Sequence, residues 1–185
     1  MTKGALTGIL VYINNKYNDN WRKITMTNSK TVYQAGGFFS DFQRKLLSDG
    51  RKALIANPTI DFDNSYVPLE HQYKDLNVEL NPELMQDQEW QAGTYLGDVS
   101  GISGTDLVVA FIDPVDVDPG TTFEMGYGMA IHKPVVVVVP DKLEGEATEL
   151  NLMVAKGCTQ VITMSELATF NFNLIPAKPY LGKVF

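Results

Sequence analysis

The chain has 185 residues, of which 44% are hydrophobic, and a formal net charge of −7. This length and composition are typical of one globular domain with a full core, and they exclude a disordered chain. The acidic balance argues against nucleic acid as a partner, because phosphate backbones are bound by basic surfaces.

Cysteine and histidine are scarce. The single cysteine, Cys158, excludes a disulfide framework and favours a reducing, cytoplasmic location. We expect a buried structural thiol there, because no histidine lies nearby in sequence to activate it. His71 and His132 are the only histidines, and no cysteine–histidine cluster has metal-ligand spacing. No apolar run reaches the ~20 residues of a membrane helix, so we expect no membrane partner.

Residues 1–25 fit poorly with the rest of the chain. Met26 precedes the first convincing strand, so we interpret residues 1–25 as an N-terminal extension of unknown role and residues 26–185 as the main domain. The alternative is a genuine extra strand, Ile9–Ile13, at a sheet edge. No secretory signal is expected, because the short apolar run lacks a small-residue cleavage site.

The first half of the main domain alternates between strand and helix. Thr31–Ala35 reads as a strand and ends at a pair of glycines. Phe38–Ala56 has helical spacing of its apolar residues, and so does Glu83–Val99. Between the two helices lies the long irregular stretch Asn57–Tyr73, and loops of this length are usually functional or mobile.

The second half contains the clearest pattern. Two short apolar runs, Leu107–Ile112 and Val135–Val139, flank a helix that begins near Gly120, which predicts a βαβ unit with parallel strands. Glu149–Lys156 reads as a short helix and Gln160–Thr163 as a last strand. The sequence therefore predicts one α/β domain, doubly wound, with a mostly parallel sheet and helices on both faces.

Carboxylates cluster at the join between the first apolar run and its helix. Asp113, Asp116 and Asp118 precede the helix, and Glu124 is expected in its first turn. Ligands bind open parallel sheets where strands end. The helix dipole should keep Glu124 ionised, as a glycosyl-transfer nucleophile requires. On spacing alone, however, an ordinary helix-stabilising glutamate is favoured.

A second acid for glycosyl chemistry should lie ~5–5.5 Å from the nucleophile. The loop aspartates and Asp98 are all candidates, with a solvated acidic loop as the simpler interpretation. A divalent-cation site ranks lower, because the spacing matches no calcium loop. Gly126 and Gly128 each destabilise the helix by ~1 kcal/mol, which predicts that a strand or a ligand approaches closely.

Aromatic side chains border the first Gly-Gly turn. Tyr33, Phe38 and Phe39 are placed to stack on a planar base, although such residues are more often core. The dinucleotide fingerprint and the Walker phosphate loop are both absent, so the sequence offers no evident phosphate cradle.

Taken together, these segments resemble the nucleoside 2-deoxyribosyltransferase family, from about Lys30 to Phe185. The order of several separated motifs carries the resemblance, which is closest to the branch accepting purine and pyrimidine bases. The motifs are TVYQAGGFF, NPTIDFDNSYVPLEHQY, YLGDVSG, DPGTTFEMGYGMA, ELNLM and SELATFNFN.

The resemblance implies a flavodoxin-like fold and a two-step exchange of bases with retention of configuration, without metal or organic cofactor. Residues 26–185 would form the catalytic domain. By motif, Glu124 matches the nucleophile that forms a deoxyribosyl ester, Tyr33 the tyrosine that orients it, and Asp98 the acid that handles the base's proton. Phe39 and Gln72 fall at base-contacting positions.

Further positions match sugar-binding residues. Asp118 matches the carboxylate that binds sugar hydroxyls. Asn151 and Met153 match residues that a neighbouring subunit lends, Asn151 reaching the 5′-hydroxyl, so the resemblance implies a homo-oligomer, a hexamer. Phe185 stands where relatives often end in tyrosine; the terminal carboxylate can still reach the site without the phenol's hydrogen bond. Ala35 replaces a glycine frequent in relatives, which should narrow the base pocket slightly.

Two other functions remain open from the residues. The same carboxylates would serve an N-glycosidase that hydrolyses nucleosides or deoxynucleotides to free base and sugar. A non-catalytic nucleoside-binding domain is the third possibility, and it has little support because the nucleophile, tyrosine and acid positions are all filled.

Overall fold

The computed structural model describes residues 9–13, 22–26, 29–141 and 149–185, the first two ranges by their backbone alone. Within the described chain, no helix is long and apolar enough to span a bilayer. In chain order the elements are β1 (Ile9–Ile13), β2 (Arg22–Met26), β3 (Val32–Gly36), α1 (Asp41–Ala56), α2 (Gln88–Gly104), β4 (Leu107–Phe111), α3 (Pro119–Ala130), β5 (Val135–Val139), β6 (Glu149–Leu150), α4 (Leu152–Lys156), β7 (Gln160–Thr163), α5 (Met164–Leu167) and β8 (Lys183–Val184).

The main sheet has four strands in the order β3-β4-β5-β7, and every neighbouring pair is parallel. A fifth segment runs along the free side of β3. There the backbone N–H of Tyr66 donates to the Val32 carbonyl at 2.8 Å, and Lys30 forms a parallel bridge with Ile60. The chain thus leaves β3 toward one edge and returns to β4 on the other side. This reversal puts a ligand crevice at the carboxyl ends of β3 and β4.

Helices cover both faces of the sheet, as predicted for a doubly wound, flavodoxin-like fold. Alternate side chains of β4 point to opposite faces, so Val108 packs on one side and Val109 on the other. The first face carries residues of α2, α3 and α4, and the second carries residues of α1 and α5. All five residues of β4 and of β5 are buried, because both faces are covered.

The predicted helix Glu149–Lys156 is wrong at its start. Glu149 and Leu150 form β6, which pairs in parallel with β8 near the C-terminus. The helix begins only at Leu152, because the Asn151 side chain accepts a hydrogen bond from the Met153 backbone N–H and caps it.

The second predicted helix is shifted toward the C-terminus. Pro82–Gln86 is a 3₁₀ turn, and the α-helix runs from Gln88 to Gly104. Asp87 sets the start by accepting from the backbone N–H groups of Glu89 and Trp90. The shift moves Asp98 from near the end of the predicted helix into the interior of the observed one, on a rigid element.

The alternative of an extra strand at Ile9–Ile13 is confirmed, and that strand belongs to a small sheet of its own. Ile9–Ile13 pairs antiparallel with Arg22–Met26 in a separate two-stranded sheet, not at the edge of the main sheet. The rest of residues 1–25 lies outside the described chain. Their interpretation as an extension stays a prediction, as does the domain boundary at residue 26.

The two helix glycines of α3 behave differently. A Cβ at Gly128 would lie 2.9 Å from Val108 Cγ2, so a strand does approach closely there, as predicted. At Gly126 the same Cβ would meet nothing within 4 Å among the described residues, so no described strand approaches there, and the approach of a ligand stays a prediction.

Candidate active site

A cleft of about 770 Å³ opens at the carboxyl ends of β3 and β4. Its volume is in the range of small-molecule sites. Three of the predicted carboxylates meet in its wall although they come from separate parts of the chain. They are Asp98 of α2, Asp118 before α3 and Glu124 within α3.

Glu124 lies in the second turn of α3, not in the first as predicted. The helix begins at Pro119, and Asp118 caps it by accepting from the Thr121 backbone N–H at 2.6 Å. The dipole's effect falls off within the first turn. Burial therefore dominates and raises the pKa of Glu124 to about 8, and the charges of Asp98 and Asp118 add to the rise. The expectation that the dipole keeps this carboxylate ionised is wrong.

In the part of the chain that the structure describes, Tyr33 provides the effect that opposes this rise in the pKa of Glu124. Its side chain is fully buried on β3, and its hydroxyl donates to Glu124 Oε1 at 2.5 Å. Hydrogen bonding to the charged form lowers the pKa of Glu124. Burial and the carboxylate beside it raise the pKa of Tyr33 itself above its usual range, so it stays a donor.

Asp98 is the second titrating carboxylate. Burial raises its pKa to about 6, while the Tyr66 hydroxyl and the charge of His71 act to lower it. Its Oδ1 is buried without a hydrogen-bond partner among the residues described. Such an oxygen is suited to a ligand, because a buried polar atom left unpaired is unfavourable.

Asp118 and Phe39 also line the cleft. Asp118 Oδ2 already accepts hydrogen bonds from Thr121 as the cap of α3. A sugar hydroxyl would therefore have to bind the other carboxylate oxygen, Oδ1. Phe39 stacks on Phe38 at 4.4 Å and keeps 65% of its surface exposed, so it is not core. A Cβ at Gly37 would lie 2.9 Å from that of Asp118, which explains why this turn requires glycine.

Gln72 does not reach the cleft. It is buried, and its amide donates to the Leu69 carbonyl at 3.2 Å and accepts from the Val78 backbone N–H at 2.8 Å. It thereby supports Leu69, which does line the cleft. Its predicted contact with a base stays a prediction.

Asn151, Met153 and Phe185 lie together in a different cleft, of about 600 Å³. Phe185 is held there by backbone hydrogen bonds to Leu150 and Leu152. The two clefts share Pro119, but this second one does not contain Glu124. Within one chain these three residues therefore do not reach Glu124.

Sequence reasoning assigns no role to Tyr66, which lies between the rings of Tyr33 and His71. Its position in the motif NSYVPLEHQY is the available signal, but the fold is needed to bring it to Asp98. Cys158 is half-buried, and burial raises the pKa of its thiol to about 11, as expected for a structural cysteine. Within residues 29–141 and 149–185, no group of three or more candidate side chains is arranged to hold a metal ion.

The sequence profile of the nucleoside 2-deoxyribosyltransferase family matches residues 32–157. A nucleoside deoxyribosyltransferase of Lactobacillus johnsonii is 46% identical over 149 residues, which cover 80% of this chain and 99% of the relative. The nucleoside deoxyribosyltransferase of Lactobacillus leichmannii is 40% identical, over 84% of this chain and 98% of its own. Among solved structures, the 2-deoxyribosyltransferase of Bacillus psychrosaccharolyticus superposes with a TM-score of 0.64 at 25% identity, over 82% of this chain and 99% of its own. The chain therefore belongs to the nucleoside 2-deoxyribosyltransferase family of enzymes.

Proposed function

We propose that the enzyme exchanges the purine or pyrimidine base of a 2′-deoxyribonucleoside through an ester between C1′ and Glu124. The observation that supports this most strongly is the contact of a half-buried carboxylate, Glu124, with the Tyr33 hydroxyl at 2.5 Å, beside a second carboxyl in the same cleft. A nucleophile, an orienting donor and an acid are the parts that retaining glycosyl transfer needs.

In the first step a Glu124 oxygen attacks C1′ while the C1′–N bond breaks. The electron pair of that bond leaves with the base, which takes the proton of Asp98. Positive charge develops on the sugar ring, and the carboxylate stabilises it before closing the C1′–O bond. The absence of the 2′-hydroxyl makes this charge easier to form.

In the second step a nitrogen of the incoming base attacks C1′ from the face that the first base left. The C1′–O bond breaks, its electron pair returns to Glu124, and the proton of the incoming base goes to Asp98. Two inversions at C1′ give retention of configuration. Transfer rather than hydrolysis requires that water is excluded while the ester waits, and the segment Val67–Glu70 walls the cleft on one side.

The productive protonation state has Glu124 ionised and Asp98 protonated. In the free protein the pKa of about 8 for Glu124 and of about 6 for Asp98 favour the opposite arrangement. The productive form is therefore a minor species at pH 7. Positive charge on the sugar stabilises it during the reaction, because that charge favours an ionised Glu124.

We also propose a homo-oligomer, a hexamer, in which a neighbouring subunit completes each site. Asn151, Met153 and Phe185 lie on a separate cleft of their own chain, so only another copy can bring them to a Glu124. The biological role that fits is salvage of free bases into deoxynucleosides.

An exchange assay tests the function directly. Deoxyinosine incubated with adenine should yield deoxyadenosine and hypoxanthine, and Glu124→Gln should abolish the exchange. Free deoxyribose as the main product, with or without adenine, would instead indicate the N-glycosidase.

A further inference from the structure

Tyr66 lies in a stack of three rings beneath the cleft. Its ring is nearly parallel to that of Tyr33, with centroids 5.4 Å apart, and it stacks on the His71 ring at 4.4 Å. Its backbone is tied to β3 on both sides, since it donates to Val32 and accepts from the Gln34 backbone N–H. Ring and backbone are therefore fixed independently.

Helix α2 is shaped around this ring. A Cβ at Gly101 would lie 2.6 Å from the Tyr66 ring, and a Cβ at Gly97 would lie 3.2 Å from the Tyr66 hydroxyl. Two glycines four residues apart lie on the same face of a helix. The two glycines form a groove in which the Tyr66 ring packs, and its hydroxyl lies at the turn of α2 that carries Asp98.

The Tyr66 hydroxyl lies against the turn of α2 that carries Asp98, and its proximity to the carboxyl group acts to lower the pKa of Asp98. The Oδ1 atom of that carboxyl group stays buried and unpartnered within the described chain. The two stacked tyrosines thus each serve a different carboxylate, Tyr33 with Glu124 and Tyr66 with Asp98.

We propose that Tyr66 is a positioning residue that fixes the Asp98 carboxyl group so that its free oxygen faces the departing base. This inference rests on the proposed role of Asp98 as the acid. The Tyr66 ring is held in place by β3, by His71 and by the glycines of α2. The Asp98 carboxyl group beside its hydroxyl therefore loses rotational freedom. A pre-oriented acid transfers its proton without a reorganisation penalty.

Several groups act on Asp98 besides Tyr66, and each must be considered in a pH experiment. They are His71, which stacks on Tyr66, Tyr33 on β3 and Glu124 on α3. Asp118 acts on Glu124 and so belongs to the same group of charges. Among the described residues, Tyr66 and His71 are the groups that act to lower the pKa of Asp98.

The test uses Tyr66→Phe, which keeps the ring and removes the hydroxyl, with two substrates that differ in their need for an acid. Hypoxanthine must receive a proton to leave deoxyinosine as a neutral base. The base of 7-methyl-2′-deoxyguanosine is already cationic and leaves as a neutral molecule without receiving one. At pH 5, where Asp98 starts protonated, we expect about a tenfold loss of kcat for deoxyinosine, because the Tyr66 hydroxyl no longer stabilises the negative charge that proton transfer leaves on Asp98. For the methylated nucleoside we expect a change of less than about twofold.

A pH profile of kcat/KM supplies a second readout. Without the Tyr66 hydroxyl the pKa of Asp98 rises, so the limb near pH 6 should move to higher pH. Tyr73→Phe is the matched control, because its hydroxyl bonds to Glu89 and contacts none of the three cleft carboxylates. Tyr73→Phe should change neither the ratio of kcat values for the two substrates nor the pH profile of kcat/KM.

An equal loss on both substrates would identify a merely structural brace and overturn the proposal, as would unchanged rates with an unmoved limb. Asp98→Asn separates this failure from a wider one. If Asp98→Asn discriminates between the substrates and Tyr66→Phe does not, only the role of Tyr66 fails. If Asp98→Asn does not discriminate either, the assignment of the acid fails together with it.

Discussion

The Tyr33 hydroxyl lies 2.5 Å from Glu124 Oε1, with the tyrosine on β3 and the glutamate on α3. Two opposing effects meet at this contact. Burial raises the pKa of Glu124, and the hydrogen bond lowers it. A nucleophile that is partly desolvated and still ionisable is reactive, because little solvent must be removed before attack. The balance between the two effects therefore sets how much of the enzyme can react near neutral pH.

The first prediction concerns the pH dependence of the wild-type enzyme. Exchange requires Glu124 ionised and Asp98 protonated, with pKa values of about 8 and about 6. Between these values the productive fraction is small and nearly constant, because each gain in ionised Glu124 is matched by a loss of protonated Asp98. Below pH 6 it falls because Asp98 is already protonated while ionised Glu124 keeps decreasing, and above pH 8 it falls because Glu124 is already ionised while protonated Asp98 keeps decreasing. The profile of kcat/KM should be a bell with limbs near these values, which belong to the interacting pair. A flat profile from pH 5 to 9 would contradict the assignment.

The second prediction concerns Tyr33→Phe. Loss of the hydroxyl removes the hydrogen bond that lowers the pKa of Glu124, so the alkaline limb should move to higher pH. Exchange at pH 7 should fall ~10–100-fold, the size of a hydrogen bond to a charged group. Steady-state kinetics across pH measures both effects. Movement of the limb near pH 6 instead would assign Tyr33 to the other carboxylate.

The third prediction concerns stability. The pKa of Glu124 is 4.5 when unperturbed and about 8 in the fold, so the folded state binds a proton that the unfolded state releases between these values. Stability is therefore fully present below pH 4.5 and is lost as the pH rises through 8. Glu124→Gln removes this loss and should stabilise the enzyme by ~1–3 kcal/mol at pH 8.

Denaturant unfolding at pH 5 and pH 8 measures that difference, at one protein concentration because assembly also contributes. The gain from Glu124→Gln should be larger at pH 8. If Glu124→Gln is less stable than wild type at pH 8, the ionised Glu124 carboxylate does not destabilise the folded state.

The fourth prediction concerns sharing of the site between chains. Glu124→Gln and Asn151→Ser should each lose exchange, the serine being chosen because it can still cap α4. When the two chains are co-expressed, some sites combine an intact Glu124 with an intact Asn151 of the neighbour. About a quarter of wild-type activity should return if chains pair at random. A mixture as inactive as either variant would place Asn151 outside the shared site.

The sequence predicts the sheet well where burial is complete. The runs at 107–112 and 135–139 are apolar throughout, and a strand covered on both faces has that pattern. The edge segment that ends at Tyr66 has the sequence of a loop and lacks any strand periodicity. It is joined to the sheet by two isolated bridges, one to Tyr33 of β3 and one to Lys30 just before that strand. Only the structure shows that this segment pairs beside β3, and hence that the chain continues from β3 toward one edge of the sheet and returns to β4 on the other side.

Parts of the site are predictable by motif and others require the fold. The motif pairing of Glu124 with Tyr33 is matched by their contact, whereas the predicted ionisation of Glu124 is wrong. The start of α3 at Pro119 is readable from Asp118-Pro119, an N-cap followed by proline. The pKa of Glu124 is not readable from sequence, because it depends on how deeply the side chain is buried.

The central claim is a covalent bond between the sugar and Glu124. The most direct measurement is rapid acid quenching of the enzyme during turnover of deoxyinosine without an acceptor base, followed by proteolysis and mass spectrometry. The account predicts a deoxyribosyl group on the peptide that contains Glu124, and none in Glu124→Gln. A deoxyribosyl group on any other residue, or its persistence in Glu124→Gln, would contradict it.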